Sequence, residues 1–410
     1  MFSETRVKQK YCVLIIAIWT LTLGVAPALV FAAGPIKAPA TDIVDAETAR
    51  QLAAYLEDIS KWIMTLDLGS GKLKNTPPKE TTESIFINGN FARVLFAAAD
   101  VTGNKAYREE ALRWCDTFYR QQQLTITSKL GEAGFWPDMG RKGNIYFGDM
   151  GTAVTGLAMG YRRADAKRQE MYLAAMERMA RFVIEGTLVD PQDEGRKACD
   201  GWVIKEGPDQ GALGCGYFGG HLSLIRYTVA TSNTGGTFMP ELYAITGKEE
   251  YKIIGAGAVR WILKIRKESG EIPYTLDGKD YAEWPLDTMS YCGEGLIAAD
   301  MYLKDPELHE LLRKEVKPCV QWLLSLQNPD GSWGKLRSSD QQRSPRCLSV
   351  LTWYYRTFEQ DPAIAAAVQK YCKYLLSPEN SKAYGVKELV RTTGFVGLAV
   401  AELLAPGSTF

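Results

Sequence analysis

The sequence predicts an all-α fold, an (α/α)6 double ring of six helical hairpins. Three observations carry this. Long amphipathic helices with one charged face alternate along the chain with helices that are apolar or small all round. The joins between them repeat: Gly134-Phe135-Trp136, Gly270-Glu271-Ile272-Pro273-Tyr274 and Asp330-Gly331-Ser332-Trp333-Gly334 each precede a helix start. Two entries into amphipathic helices share a phrase, Thr102-Gly103-Asn104-Lys105-Ala106-Tyr107 and Thr246-Gly247-Lys248-Glu249-Glu250-Tyr251. A unit repeated at about 50–60 residues is one that cannot bury its apolar face alone, so copies stack.

The chain has 410 residues. Arg6, Lys8 and Lys10 precede an apolar run from Tyr11 to Ala32, which Pro27 breaks near its exit. This pattern predicts an export signal over 1–32, cleaved after Ala32. An uncleaved membrane tether is the alternative, since about 20 apolar residues span a bilayer. Residues 33–44 then form a Pro/Ala tether, and 45–405 a single domain. No further membrane-spanning run follows. Export permits disulfides. Of eight cysteines, Cys12 lies in the leader; Cys199 and Cys215 flank a Gly-rich loop and are the expected pair.

The amphipathic helices are expected at about 46–66, 104–123, 166–186, 248–268, 306–327 and 361–376. Leu173, Met176, Met179 and Val183 show their three-to-four spacing. The apolar helices are expected at about 89–101, 149–163, 233–246, 288–303, 345–358 and 392–404. A helix apolar on every side is buried on every side, so these form the inner ring. The irregular stretch 187–231 is long for a connection in a compact domain, and such loops are usually functional.

This pattern over 45–404 resembles the α/α-toroid proteins. One branch holds the six-hairpin glycosidases and related polysaccharide lyases; the other holds terpenoid cyclases and protein prenyltransferases. Gln327-Asn328-Pro329-Asp330-Gly331-Ser332-Trp333-Gly334 is similar to the Gln–Trp repeat of triterpene cyclases. Physically it is a helix end, an Asp-Gly turn and an aromatic folded back on the helix, a staple of the fold. The resemblance stops short of cyclase chemistry. The chain lacks the Asp-x-Asp-Asp run such enzymes use, and any counterpart of the prenyltransferase zinc ligands. Cys292-Gly293-Glu294-Gly295 resembles the thioester motif of complement-like toroids, but Gly295 stands where the thioester glutamine would be.

In such a ring the inner helices run parallel, and their N-termini converge on one mouth bearing partial positive charge. Loops entering that mouth carry Arg141, Lys142, Lys335, Arg337, Arg343, Arg346, Lys387 and Arg391. They also carry the aromatics Trp136, Tyr146, Tyr274, Trp284, Tyr291 and Trp333. Aromatics stack on sugar rings and cations hold carboxylates, so an acidic sugar chain fits both. Asp149 and Asp287 occupy equivalent positions in two hairpins. Six-hairpin glycosidases commonly use two carboxylates, which makes these the expected acid and base. Aspartate at a helix start is also a preferred cap, and both roles fit. Trp136, Tyr146, Trp284, Tyr291 and Trp333 are expected to contact sugar, Glu294 to point into the cavity, and Arg346 to face a substrate carboxylate. Asp138 and the loop histidine His221 are further candidates.

The charge balance of 48 basic and 48 acidic side chains gives no basis for nucleic-acid binding. No cofactor or metal is expected, with no CxxC and only two distant histidines, His221 and His309. The expectation is an exported carbohydrate-active enzyme, a hydrolase or lyase. The alternatives are a non-catalytic toroid binding glycan or protein, and a cyclase-like enzyme.

Overall fold

The structure, a computed structural model, describes residues 42–66, 68, 85–137, 145–188, 199–218, 221–274, 285–336 and 338–410. The chain alternates outer and inner helices. α1 (Ala46–Ile63) is outer, α2 (Ile85–Thr102) inner, and α3 (Lys105–Arg120) outer. A hairpin of β1 (Gln123–Ile126) and β2 (Glu132–Phe135) follows, then β3 (Ile145–Tyr146). α4 (Phe147–Arg163) is inner and α5 (Ala166–Glu185) outer. β4 (Gly214–Phe218) and β5 (His221–Arg226) complete a small antiparallel sheet with β3 in the order β3-β4-β5. The third inner helix joins α6 (Thr228–Ala230), a π-helical stretch (Thr231–Phe238) and α7 (Met239–Thr246). α8 (Glu249–Ile265) is outer and α9 (Pro285–Leu303) inner. α10 (Pro306–Glu315) and α11 (Lys317–Ser325) share the fifth outer position. α12 (Ser339–Arg343), a 3-10 turn (Ser344–Arg346) and α13 (Cys347–Thr357) make the fifth inner rod. α14 (Pro362–Leu376) is outer, α15 (Pro378–Tyr384) a short link, and α16 (Val390–Leu404) inner.

The double ring closes on itself. α16 packs on α2, while α1 packs against both α14 and α16. Polar ties reinforce the seam: the Tyr55 and Ser381 hydroxyls lie 2.6 Å apart, and Gln369 donates to the Ile43 carbonyl at 2.8 Å. The core lies between the rings and within the inner one. All residues of α2 from Ile85 to Ala99 are buried, whereas α1 buries one stripe: Ala49, Leu52, Leu56, Ile59 and Ile63. That contrast is the one the sequence pattern predicts. Small residues let inner helices touch: a Cβ on Gly89 would sit 2.8 Å from the Ala153 Cα, and one on Gly151 would meet the Asn233 backbone at 2.6 Å.

Three boundaries differ from expectation. The helix expected over 306–327 breaks at Val316, where Pro318 in the next turn cannot donate to the helix ladder. The third inner helix starts at Thr228 instead of 233: the Thr228 hydroxyl and N–H both donate to the Tyr274 carbonyl, at 2.8 Å and 3.0 Å, and the helix then runs through a π-helical stretch that includes Gly235-Gly236. There Ser232 donates to the Tyr291 carbonyl at 2.8 Å, Asn233 to the Gly148 carbonyl at 2.9 Å and Thr234 to the Phe147 carbonyl at 2.7 Å. This wider turn ties two neighbouring inner helices to one another. The 187–231 stretch carries β4 and β5 rather than being wholly irregular. Among the described residues no helix is long and apolar enough to cross a membrane.

Candidate active site

Helix α9 organises the centre of the ring. Asp287, Tyr291 and Glu294 are spaced i, i+4, i+7 and so share one face. Glu294 fixes where that face points. It pairs with Arg93 of α2 through two hydrogen bonds of 3.2 Å, and with Arg346 at 2.7 Å. Those arginines come from other hairpins, so the face looks down the axis. All three residues of this cluster are at most 2% exposed. Burial alone would raise the Glu294 pKa, but Arg93 and Arg346 outweigh it and hold the carboxyl below its usual range. Beneath this layer the tail after α16 turns inward. The Thr409 carbonyl accepts from Arg93 at 3.1 Å, and the Phe410 ring lies 5.9 Å and 5.5 Å from the Arg93 and Arg346 guanidiniums. The axis is therefore a charged, fully packed floor.

The mouth lies above that floor. Asp287 is wholly buried and its Oδ2 pairs with Arg343 of α12. Its Oδ1 has no hydrogen-bond partner among the described residues. Burial pushes the Asp287 pKa up, and Arg343 and Arg391 only partly oppose it. Asp287 does not cap α9. That role belongs to Asp340, whose Oδ1 accepts from the Leu286 and Asp287 backbone N–H groups at 2.9 Å and 3.0 Å. Burial pushes Asp340 up to about 6, and the neighbouring Asp287 charge adds to the effect.

Asp149 sits in the first turn of α4, half-buried, and the N-cap position of that helix is Tyr146, which makes no side-chain cap bond. The charges of both Asp149 and Asp287 reach Tyr274 and Tyr291, so the two carboxylates face one tyrosine cluster. In that cluster the Tyr146 and Tyr274 hydroxyls are 3.4 Å apart, and Tyr227 packs against both rings at 6.1 Å and 5.4 Å. Tyr291 stands edge-on to Phe395 of α16 at 5.5 Å. Burial raises the pKa of Tyr146, Tyr274 and Tyr291, which keeps their hydroxyls protonated. Arg391 lies over the Phe86 ring at 5.7 Å, and its Nε has no hydrogen-bond partner among the described residues. The mouth thus offers two carboxylates, phenolic hydroxyls that donate and accept, and cations.

Of the expected site residues, the structure brings Asp149, Asp287, Tyr146 and Tyr291 to this mouth. Five expectations are corrected. Trp136 and Trp333 are closed off as loop staples: their indole N–H groups donate to the Phe118 carbonyl at 2.7 Å and the Leu323 carbonyl at 2.9 Å, and both rings are at most 1% exposed. Glu294 and Arg346 neutralise each other in the floor instead of meeting a ligand. Finally, no disulfide joins Cys199 to Cys215 among the described residues. Cys199 pairs its backbone with Thr187 after α5, while the Cys215 thiol on β4 faces the Ser223 carbonyl at 3.8 Å. Trp284, Asp138, Arg141, Lys142, Arg337 and the His221 side chain lie outside the described residues. The role of Asp340 had no sequence signal, because the helix it caps belongs to the preceding hairpin. Among the described residues, no group of three or more His, Cys, Asp or Glu could hold a metal ion.

No protein-family model matches the chain, and no curated protein matches it. Solved structures do. The cellobiose 2-epimerase of Spirochaeta thermophila DSM 6192 is 10% identical with a TM-score of 0.59, over 89% of this chain and 99% of that one. An α-1,6-mannanase of Salegentibacter sp. HEL1_6 is 11% identical with a TM-score of 0.57, over 86% and 99%. An unsaturated glucuronyl hydrolase specific for heparin is 12% identical with a TM-score of 0.57, over 87% and 96%. A mannanase variant with two consecutive aspartates replaced by asparagine is inactive; this sequence has no two adjacent aspartates. At these identities the likeness is one of fold. The chain is a six-hairpin α/α toroid, an architecture it shares with these carbohydrate-active enzymes.

Proposed function

We propose that the protein is an exported carbohydrate-active enzyme that cleaves a glycosidic bond at the mouth of the toroid, with Asp287 as proton donor and Asp149 as base. One observation carries the reading. Asp340 caps α9, so Asp287 is released from the structural role an aspartate at a helix start usually has. It remains a buried carboxyl with an uncommitted oxygen and an elevated pKa. A carboxyl that holds its proton can deliver it to a departing sugar oxygen. Asp149, more exposed, would take a proton from water, or from the sugar ring in an elimination. The phenols of Tyr146, Tyr274 and Tyr291 suit hydroxyl groups. Arg391 replaces Arg346 as the cation for a sugar carboxylate. The export reading rests on the leader at residues 1–32.

The test is a screen of the exported domain against neutral and uronate-bearing polysaccharides. New reducing ends support hydrolysis, and an ultraviolet-absorbing unsaturated end shows elimination. A second reading, a toroid that binds glycan without cleaving it, is favoured by the complete burial of Asp287 and its pairing with Arg343. Glycan binding with no turnover on any substrate would establish that reading and remove the first.

A further inference from the structure

The end of the toroid opposite the mouth holds a separate cavity. Its volume is about 690 Å³, and it lies among the C-terminal ends of α9, α13 and α16 and the start of α10. This is the size range of small-molecule sites, which pair an apolar wall with a few placed polar groups. The apolar wall is Ile297, Met301 and Trp353. The polar side is built around Asp300. One of its oxygens takes the Trp353 indole N–H at 3.1 Å and the other meets His309 Nδ1 at 2.6 Å. The His309 ring also rests on Phe358 at 4.9 Å. With Nδ1 engaged, the opposite ring nitrogen, Nε2, is turned away from Asp300.

The charges in the wall are mostly spoken for. Asp305 caps α10, accepting from the Glu307 and Leu308 N–H groups at 3.0 Å and 3.1 Å. Glu402 accepts from the Gly407 N–H at 2.6 Å and the Thr409 hydroxyl at 2.8 Å. Glu310 pairs with Arg313, and Arg356 pairs with Asp42. Lys304 differs: it has no ion-pair partner among the described residues. It also stands just past the end of α9 with φ of 50°, a left-handed conformation that glycine usually fills at this position. An exposed cation is held there at a conformational cost, at the rim of a cavity, and none of the acids lining that cavity comes within salt-bridge distance of it among the described residues.

We infer that this cavity is a binding site for a monosaccharide-sized organic anion, its carboxylate held by Lys304, its polar edge beside His309 and its body against Trp353 and Met301. The inference is independent of the reading of the mouth. Saturation-transfer NMR on the full domain with D-glucuronate and with benzoate tests it. The expected result is transfer to one or both probes from wild type, at millimolar half-saturation or tighter. Lys304→Gly should cut that affinity at least tenfold while raising Tm by about 1–2 °C, because glycine relieves the left-handed strain. A residue with only a structural role would not separate binding from stability in this way. His309→Gln should also weaken binding. Absence of transfer to both probes overturns the inference. So does binding that survives Lys304→Gly but is lost in Arg391→Ala, which would place the ligand at the mouth.

Discussion

Asp287 and Glu294 occupy the same face of the same helix, seven residues apart, and both are buried against arginine. Their chemistry diverges because their partners differ in number. Glu294 meets two guanidiniums, and its pKa falls below the usual carboxylate range. Asp287 meets one, keeps an oxygen without a partner, and its pKa rises. Glu294 is a strut shared between two arginines. Asp287 lies nearer the start of the helix, with one carboxylate oxygen lacking a hydrogen-bond partner among the described residues. Burial of a carboxylate is thus uninformative by itself; the count of charges and hydrogen bonds around it decides whether it holds the fold or performs chemistry.

The largest expected effect comes from breaking the strut. Glu294→Gln leaves Arg93 and Arg346 buried without a full counter-charge, and should cost about 3–5 kcal/mol of stability. Urea unfolding measures it; a loss below about 1 kcal/mol would show the floor to be dispensable. Next come the two staples. Trp136→Phe and Trp333→Phe keep the ring but remove the indole hydrogen bond, while the Phe118 and Leu323 carbonyls retain the Gln121 and Leu326 N–H groups, at a cost of about 0.5–1.5 kcal/mol each. Affinity for saccharide should be unchanged in both. Reduced affinity at unchanged stability would return these tryptophans to the site.

A smaller effect sharpens the contrast through pH. Asp340 titrates at about 6 in the fold and about 4 in an unfolded chain, so the native state binds its proton more tightly. Its stabilising contribution is complete below about pH 4 and is lost as pH rises through about 6. Glu294 has the opposite sign: its contribution is present above about pH 4 and is lost as pH falls. Asp340→Asn keeps an acceptor for the α9 cap and removes the titration. The fall in Tm between about pH 4.5 and about pH 7 should therefore be smaller in Asp340→Asn than in wild type. Equal falls would mean that Asp340 does not carry a raised pKa.

Much of this architecture was legible in the sequence. The alternation of one-striped and all-apolar helices separates outer from inner ring in the sequence itself. Asp149 and Asp287 stand at equivalent hairpin joins, and the structure brings both near Tyr274 and Tyr291. Aromatics at those joins were harder to read, because an indole closing a loop and an indole waiting for a sugar have the same local sequence. The interior charges were harder still. Arg346 just precedes one apolar inner helix and Arg391 lies in the first turn of another, yet one descends into the floor and the other stays only partly buried. Their depth is set by Glu294 and Phe86 on other hairpins, contacts that no local pattern encodes. The same holds for Asp340, whose cap serves a helix more than 50 residues earlier in the chain.

The most direct measurement of the central claim is turnover by Asp287→Asn, on the best substrate from the polysaccharide screen, alongside its thermal unfolding. Asparagine fills the same volume, and Asp340 still caps α9, so the fold should survive. The account predicts a fall in kcat of about two to four powers of ten with the protein still folded and still binding saccharide. Full activity in a folded Asp287→Asn protein would contradict it and reduce Asp287 to the structural partner of Arg343.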